Sequence, residues 1–276
     1  MSNAASIRRV LTIAGSDPSG GAGMQADLKT FSALGCYGTS VITALTAQNT
    51  QGVRGVEPVS PGFIAEQLDA VLDDIALDAV KIGMVASREV AEVIAAAFRQ
   101  RRPRWIILDP VMVAKSGDVL VDDAGIAAVR DVLLPLADMI TPNMPEAAVL
   151  LDADTPATAA DMEALMPPLT RLGAPRVLLK GGHMRGDECP DLLATPERQE
   201  WLTAPRVVTQ NLHGTGCSLS SAIAATLSRL PGGFSDADVV AAIREAREWL
   251  QVALEAGKRL DVGEECGPVH HFHAWW

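Results

Sequence analysis

The sequence predicts an α/β fold built on a mainly parallel central sheet with helices on both faces. Three observations carry that expectation. Short apolar runs alternate with segments of helical period almost from end to end, the pattern of repeated βαβ units. Several of those runs are apolar at consecutive positions, as strands covered on both faces should be. A chain of 276 residues with 48% hydrophobic content is also long enough to bury such a core.

Taken in order, residues 10–14 form the first strand and run into a glycine-rich turn, and residues 38–46 form the second. Ser60-Pro61 sets an N-cap ahead of a proline in the first helical turn. Ile64, Leu68, Val71, Leu72 and Ile75 then share one face, so a helix starts near residue 61. Strands follow at 79–82, 105–109, 139–141 and 177–180, and Ser87 caps a helix reaching about residue 101. Leu219, Ile223, Thr226, Leu227 and Leu230 make the stripe of a further helix, and Ser235 with Asp238 caps the last one, which runs to about residue 258. Segments 152–158 and 230–234 are ordinary loops, and no repeat or long linker divides the chain. Residues 1–6 are set apart as a disordered or vector-derived tail, leaving one domain over 7–276. In a parallel sheet of this kind crossovers are right-handed and ligands gather at the carboxyl ends of the strands.

Charge and cysteine usage exclude several classes of partner. Thirty-four acidic residues against 23 basic ones give a formal charge of −11 with no Lys/Arg-rich block, which argues against nucleic acid and anionic membranes and for a small-molecule substrate. Cys36, Cys189, Cys217 and Cys266 are scattered without C-x-x-C spacing, as expected of a cytoplasmic protein with neither a disulfide framework nor a structural zinc. No apolar run approaches a membrane span, and the N-terminus has no secretion signal.

The candidate chemistry lies where strands end. The turn within 13-IAGSDPSGGAGMQADLKTF-31 matches neither a Walker nor a Rossmann loop, yet four glycines with Asp17 and Asp27 point to a substrate pocket ahead of a flexible strand-to-helix turn. In 141-TPNMPEA-147, Asn143 and Glu146 have capping-box spacing, and the same carboxylate and amide also suit Mg²⁺, which takes few protein ligands and several waters. Asp109 ends an apolar strand, where a carboxylate needs a partner or a cleft, and the loop 114-AKSGD-118 beyond it has the makeup of a lid, with Lys115 either solvated or facing an anion. Lys180 is delivered to the same sheet edge, ahead of His183, which stays unassigned. The tail 269-VHHFHAWW-276 groups three histidines, read as packing of Phe272, Trp275 and Trp276 onto the body before a metal site. In 211-NLHGTGCSLSSAIA-224 a glycine turn opens a helix, a ready anion site, with a thiol at its mouth.

In this chain order the motifs become specific. The segments 12-TIAGSDPSGGAGMQADLKTFSALG-35, 45-LTAQNTQGV-53, 81-KIGM-84, 109-DPVMVAKSG-117, 141-TPNMPEA-147, 180-KGGH-183, 213-HGTGC-217 and 267-GPVHHFHAWW-276 together resemble the bacterial hydroxymethylpyrimidine and hydroxymethylpyrimidine-phosphate kinases, thiamin-biosynthetic members of the ribokinase superfamily. The resemblance spans essentially the whole chain. It implies a three-layer ribokinase-like fold and an enzyme that uses ATP and Mg²⁺ to phosphorylate 4-amino-5-hydroxymethyl-2-methylpyrimidine and then its monophosphate.

Carried over by motif, Gly15, Asp27, Gln48, Met84 and Val111 would contact the pyrimidine. Asp27 and Gln48 would meet its hydrogen-bonding edge, and Met84 and Val111 its faces. Lys180, Asn143 and Glu146 would face the nucleotide phosphates and Mg²⁺ with Asp109 nearby, and Gly214, Thr215, Gly216 and Cys217 would cradle the transferred phosphoryl group. The superfamily usually has an aspartate as base where this chain has Cys217, so the resemblance implies that the thiol takes the base position, with a helix N-terminus expected to favour its thiolate. Relatives with small lids commonly form homodimers. The alternatives are a pyridoxal or pyridoxine kinase, which would prefer vitamin B6 alcohols, and a non-catalytic pyrimidine-binding sensor, which would bind without turnover.

Overall fold

The computed structural model describes residues 6–112 and 121–276, and the 114–118 loop with Lys115 lies outside them. The chain runs β1 (Arg9–Ala14), α1 (Gly23–Ala33), β2 (Tyr37–Ile42), β3 (Ala44–Asn49), β4 (Gly52–Pro58), α2 (Pro61–Asp74), β5 (Ala79–Ile82), α3 (Arg88–Gln100), β6 (Trp105–Leu108), α4 (Asp123–Ala128), β7 (Met139–Ile140), α5 (Met144–Leu151), α6 (Ala159–Thr170), β8 (Val177–Leu179), β9 (Asp191–Ala194), β10 (Gln199–Leu202), α7 (Thr215–Ser228) and α8 (Asp236–Ala256). Eight strands form one sheet in the order β10-β9-β8-β7-β6-β5-β1-β2, parallel from β2 to β8, with antiparallel pairing at β9 and β10. This is the mainly parallel, three-layer α/β arrangement that the alternation of elements predicts.

Both faces of the sheet are covered, which explains the continuous apolar runs. Leu11, Ile13, Val80, Ile82, Ile106 and Leu108 pack toward the layer holding Ile64, Leu68, Ile94, Phe98 and Met162. Their alternate neighbours Val10, Ala79, Trp105 and Ile107 face Phe31, Leu219, Ile223, Val239 and Ile243 on α1, α7 and α8. The expected caps form. Ser60 accepts from Phe63 N at 3.3 Å, Ser87 from Val90 N at 3.3 Å, and Ser235 closes a capping box with Asp238. Each such cap contributes ~1 kcal/mol.

Three expectations need correction. The strand read over 38–46 is two strands, because Thr43 N donates to Ala14 O at 3.0 Å and its hydroxyl to Met84 O at 2.9 Å; past that anchor β3 leaves the main sheet and pairs antiparallel with β4. The strands β4, β9 and β10 escape a reading by apolar run, since each is short or largely polar. In the tail, Trp275 and Trp276 are 68% and 69% exposed, and the buried residues are Val269, His270 and His271 instead. His271 Nε2 meets Ser218 Oγ at 3.0 Å, which ties the tail to α7. Among the described residues no cluster of three His, Cys, Asp or Glu side chains has metal-site geometry, and no helix is long and apolar enough to cross a membrane.

Candidate active site

Parallel register sets the site. Gly83 N donates to Ile13 O, Asp109 N to Ile82 O, Thr141 N to Leu108 O and Lys180 N to Pro142 O, so consecutive strands stop in step along one sheet edge. A cavity of about 920 Å³ opens over that edge. Gly15, Gln48, Met84, Val111, Asp109, Asn143, Glu146 and Lys180 line it, together with Gly214, Thr215, Gly216 and Cys217 from the turn into α7.

At its phosphate-like end the cavity holds a charged cluster. Asp109, only 1% exposed, accepts from Thr141 Oγ1 at 2.8 Å and Lys180 Nζ at 2.9 Å on one oxygen, and from Ser220 Oγ at 3.2 Å on the other. Burial alone would favour the neutral amine, but Asp109 and then Glu146 more than offset it, so Lys180 stays charged well above its ordinary range. Glu146 Oε2 lies 3.8 Å from Lys180 Nζ and also accepts from Asn143 N at 2.7 Å, while Asn143 Oδ1 accepts from Glu146 N at 2.8 Å. The capping box and the cavity position are therefore both real, in the same side chain. Burial pushes the Glu146 carboxyl up to about 7 despite the pull of Lys180.

The turn opposite is a helix N-terminus shaped by glycine. Gly214 sits at φ 74°, and a Cβ there would stand 1.7 Å from Gly21 O, so no side chain fits without moving the backbone. In the first turn of α7 an N–H has no carbonyl four residues back within the helix, which leaves donors at the cavity wall. Thr215 N leans on Leu212 O at 3.3 Å and Ser218 N on Gly214 O at 2.8 Å.

Cys217 is where the motif predicts, but its acidity runs against expectation. Burial pushes the thiol up to about 11. The Lys81 ammonium and the Gly23 N–H work against that rise, and Asp27 and Asp109 reinforce it. Desolvation thus outweighs the donors at the helix start.

Asp27 is the one predicted contact that the structure does not bring to the cavity. Its side chain is fully buried and both oxygens are taken, by Lys81 at 2.9 and 3.0 Å, Thr12 at 2.5 Å and Ser221 at 2.7 Å. No oxygen remains for a pyrimidine edge. At the other end of the cavity Gly15 approaches Met84 closely, since a Cβ on it would stand 2.6 Å from Met84 Cε. Gln48 follows a register shift between β3 and β4 that turns it into the cavity, with Thr46 Oγ1 at 3.4 Å from its Oε1.

Sequence reasoning gave no role to several residues at the wall. Arg206 donates to the carbonyls of Gly182, Gly186, Met184 and Glu188 and so holds the loop after β8, while Arg247 bonds Asp191 at 2.8 Å beside it. Lys81 is the most legible of those missed, as a lysine inside the apolar strand 79-AVKI-82.

The chain is similar to known proteins in sequence and in fold. The phosphomethylpyrimidine kinase family model matches residues 17–270. The hydroxymethylpyrimidine/phosphomethylpyrimidine kinase of Escherichia coli is 50% identical over 266 residues, covering 96% of this chain and 98% of that protein, and the enzyme of the same name from Rhizobium meliloti is 48% identical over 266 residues, 96% of this chain and 97% of that one. Among solved structures, an ADP complex of Bacillus subtilis pyridoxal kinase has a TM-score of 0.87 at 33% identity, covering 98% of this chain and 99% of that one. The phosphomethylpyrimidine kinase of Clostridium difficile has a TM-score of 0.76 at 40% identity, with 88% of this chain and 98% of that one covered.

Proposed function

The chain belongs to the phosphomethylpyrimidine kinase family, and from that premise we infer that it phosphorylates 4-amino-5-hydroxymethyl-2-methylpyrimidine with ATP and then phosphorylates the monophosphate to the diphosphate, in thiamin biosynthesis. One observation supports a shared site for both transfers: a single cavity sets Lys180, Asp109 and Glu146 opposite the glycine turn Gly214 to Cys217.

The residues divide by task. Gly15, Met84 and Val111 offer an apolar slot for the ring, and Gln48 offers an amide to its polar edge. Lys180 supplies fixed positive charge, and the donors at the start of α7 receive the γ-phosphoryl group as its charge spreads over three oxygens. In the first transfer the hydroxymethyl oxygen bonds to the γ-phosphorus, the bond from that phosphorus to its bridging oxygen breaks, and ADP leaves with the electron pair. The hydroxyl proton passes to the Cys217 sulfur in its thiolate form, which becomes the thiol. In the second transfer the nucleophile is already a phosphate oxygen, and a base has little to remove.

The donor set fits Mg²⁺. Asp109 and Glu146 are hard carboxylates at one end of the cavity, and the Glu146 carboxyl, pushed up by burial, gains from a nearby cation. Bound there with nucleotide phosphates and water, the ion would neutralise charge on the transferring group. Asn143 would then position Glu146 through the capping box.

Pyridoxal remains the specific competitor, since the pyridoxal kinase of Bacillus subtilis superposes over more of the chain than the Clostridium difficile enzyme does, although the sequence identity points to the pyrimidine kinases. Rates with the hydroxymethylpyrimidine and with pyridoxal, measured side by side, decide it: kcat/KM is expected to favour the pyrimidine, and the reverse order would reassign the substrate. We place the enzyme in the cytoplasm as a homodimer, with Leu45 on β3, 50% exposed, in the contact. A monomer by analytical ultracentrifugation would remove that part of the proposal.

A further inference from the structure

A lysine is buried behind the thiol. In β5 the side chains alternate between faces, so Lys81 shares the face of Ala79, the one packed by α1, α7 and α8. Its ammonium is fully buried and spans both oxygens of Asp27. Asp27 is itself fixed by Thr12 from β1 and by Ser221 from α7. Ser221 is four residues on from Cys217, so the two side chains lie on one face of α7, one turn apart. The ion pair therefore sits one turn behind the thiol. Even the backbone makes room for it, since a Cβ at Gly83 would stand 2.7 Å from Lys81 Nζ.

Stability alone does not account for this pair. A buried ion pair is often matched or bettered by apolar side chains of similar volume, and the strand positions around Lys81 are apolar already. We infer that Lys81, clamped by Asp27 one turn behind Cys217, is a positioning residue for the phosphoryl transfer: its fixed charge at the back of the first turn of α7 supports the sulfur as it takes the hydroxymethyl proton. The inference rests on the reading of Cys217 as proton acceptor. The groups facing the thiol are Lys81 from β5, Lys180 from the end of β8 and the Gly23 N–H of α1, which favour the thiolate, and Asp27 from α1 and Asp109 from the end of β6, which oppose it. Burial is the largest influence, and Lys81 is the strongest one acting against it.

Asp27 then has two opposed effects, holding Lys81 in place while screening its charge. This gives the test its sign. The ligand-free protein is alkylated with iodoacetamide between pH 7 and 9, where the rate follows the small thiolate fraction, and the peptide bearing Cys217 is quantified by mass spectrometry. Relative to the unaltered chain, Lys81→Met should slow Cys217 alkylation by about tenfold or more. The double variant Asp27→Asn/Lys81→Met replaces the pair with neutral groups of similar size, so it tests the idea even where Lys81→Met fails to fold; it too should react more slowly than the unaltered chain. In the kinase assay the first transfer by the double variant should fall at pH 7 and recover as pH rises. An alkylation rate in the double variant equal to or above that of the unaltered chain would overturn the inference and leave Lys81 a structural residue. Because alkylation is read without substrate, a wrong substrate assignment would leave these rates as they are.

Discussion

His213 Nε2 lies 2.7 Å from Asp17 Oδ2, and this buried pair fastens the turn after β1 to the turn before α7. Asp17 also accepts from Ser19 N, Ser19 Oγ, Gly21 N and Ala22 N, so one carboxylate organises the whole glycine-rich turn. The two halves of the cavity, ring end and phosphate end, are thereby held in one geometry.

The pair makes a prediction about acid stability. Burial would raise the Asp17 carboxyl, but the bonds from His213, Ser19 and Ala22 outweigh it and bring it from 3.8 to about 2. The folded value lies below the unfolded one, so this group contributes stability above about pH 4 that is lost as pH falls through about 2. His213→Ala should move the acid-unfolding midpoint toward neutral pH and cost on the order of 1–3 kcal/mol near pH 7. Circular dichroism across an acid titration checks it, and an unmoved midpoint would mean that the pair carries no stability.

At the phosphate end, Glu146→Gln keeps an oxygen to accept from Asn143 N while removing the charge. Turnover should fall severalfold or more at limiting Mg²⁺, with pyrimidine affinity unchanged, because the ring slot lies at the other end of the cavity. Unaltered turnover would leave Glu146 as a helix cap alone.

Gln48 tests the ring end. Gln48→Ala should weaken pyrimidine binding by roughly 1–3 kcal/mol, the usual effect of stranding a buried polar partner, with kcat for bound substrate nearly preserved. Calorimetry with the free pyrimidine would read it, and equal affinity would remove Gln48 from the pocket.

Legibility in the sequence followed physical reach. Periodicity and caps are local, so the parallel strands and the helices beginning at Pro61, Arg88, Thr215 and Asp236 could be read directly. The antiparallel strands β9 and β10 were not, because a short stretch such as Asp191–Ala194 carries no period of its own and owes its pairing to its neighbours. The motifs placed most of the site residues at one sheet edge, yet they could not say that Asp27 is saturated by Lys81, Thr12 and Ser221, contacts made at sequence separations of 15 to 194. Nor could a helix start at Cys217 reveal that burial would dominate its acidity. Solvation depends on the whole packed surround.

That acidity sharpens the central claim. With the thiol at about 11, the thiolate is a minor species at neutral pH, and the first transfer should quicken as pH rises from 7 to 9 while the second changes little. The direct measurement is a time course of products from ATP, Mg²⁺ and the free pyrimidine, run with the unaltered chain and with Cys217→Ala, and repeated from the monophosphate. The unaltered chain should make monophosphate and then diphosphate. Cys217→Ala should slow the first step by roughly 10²–10⁴-fold and the second far less, and Cys217→Asp should retain more of the first step than Cys217→Ala does. Failure of the unaltered chain to make either product would contradict the function, and equal slowing of both steps by Cys217→Ala, or of neither, would contradict proton transfer to the thiol.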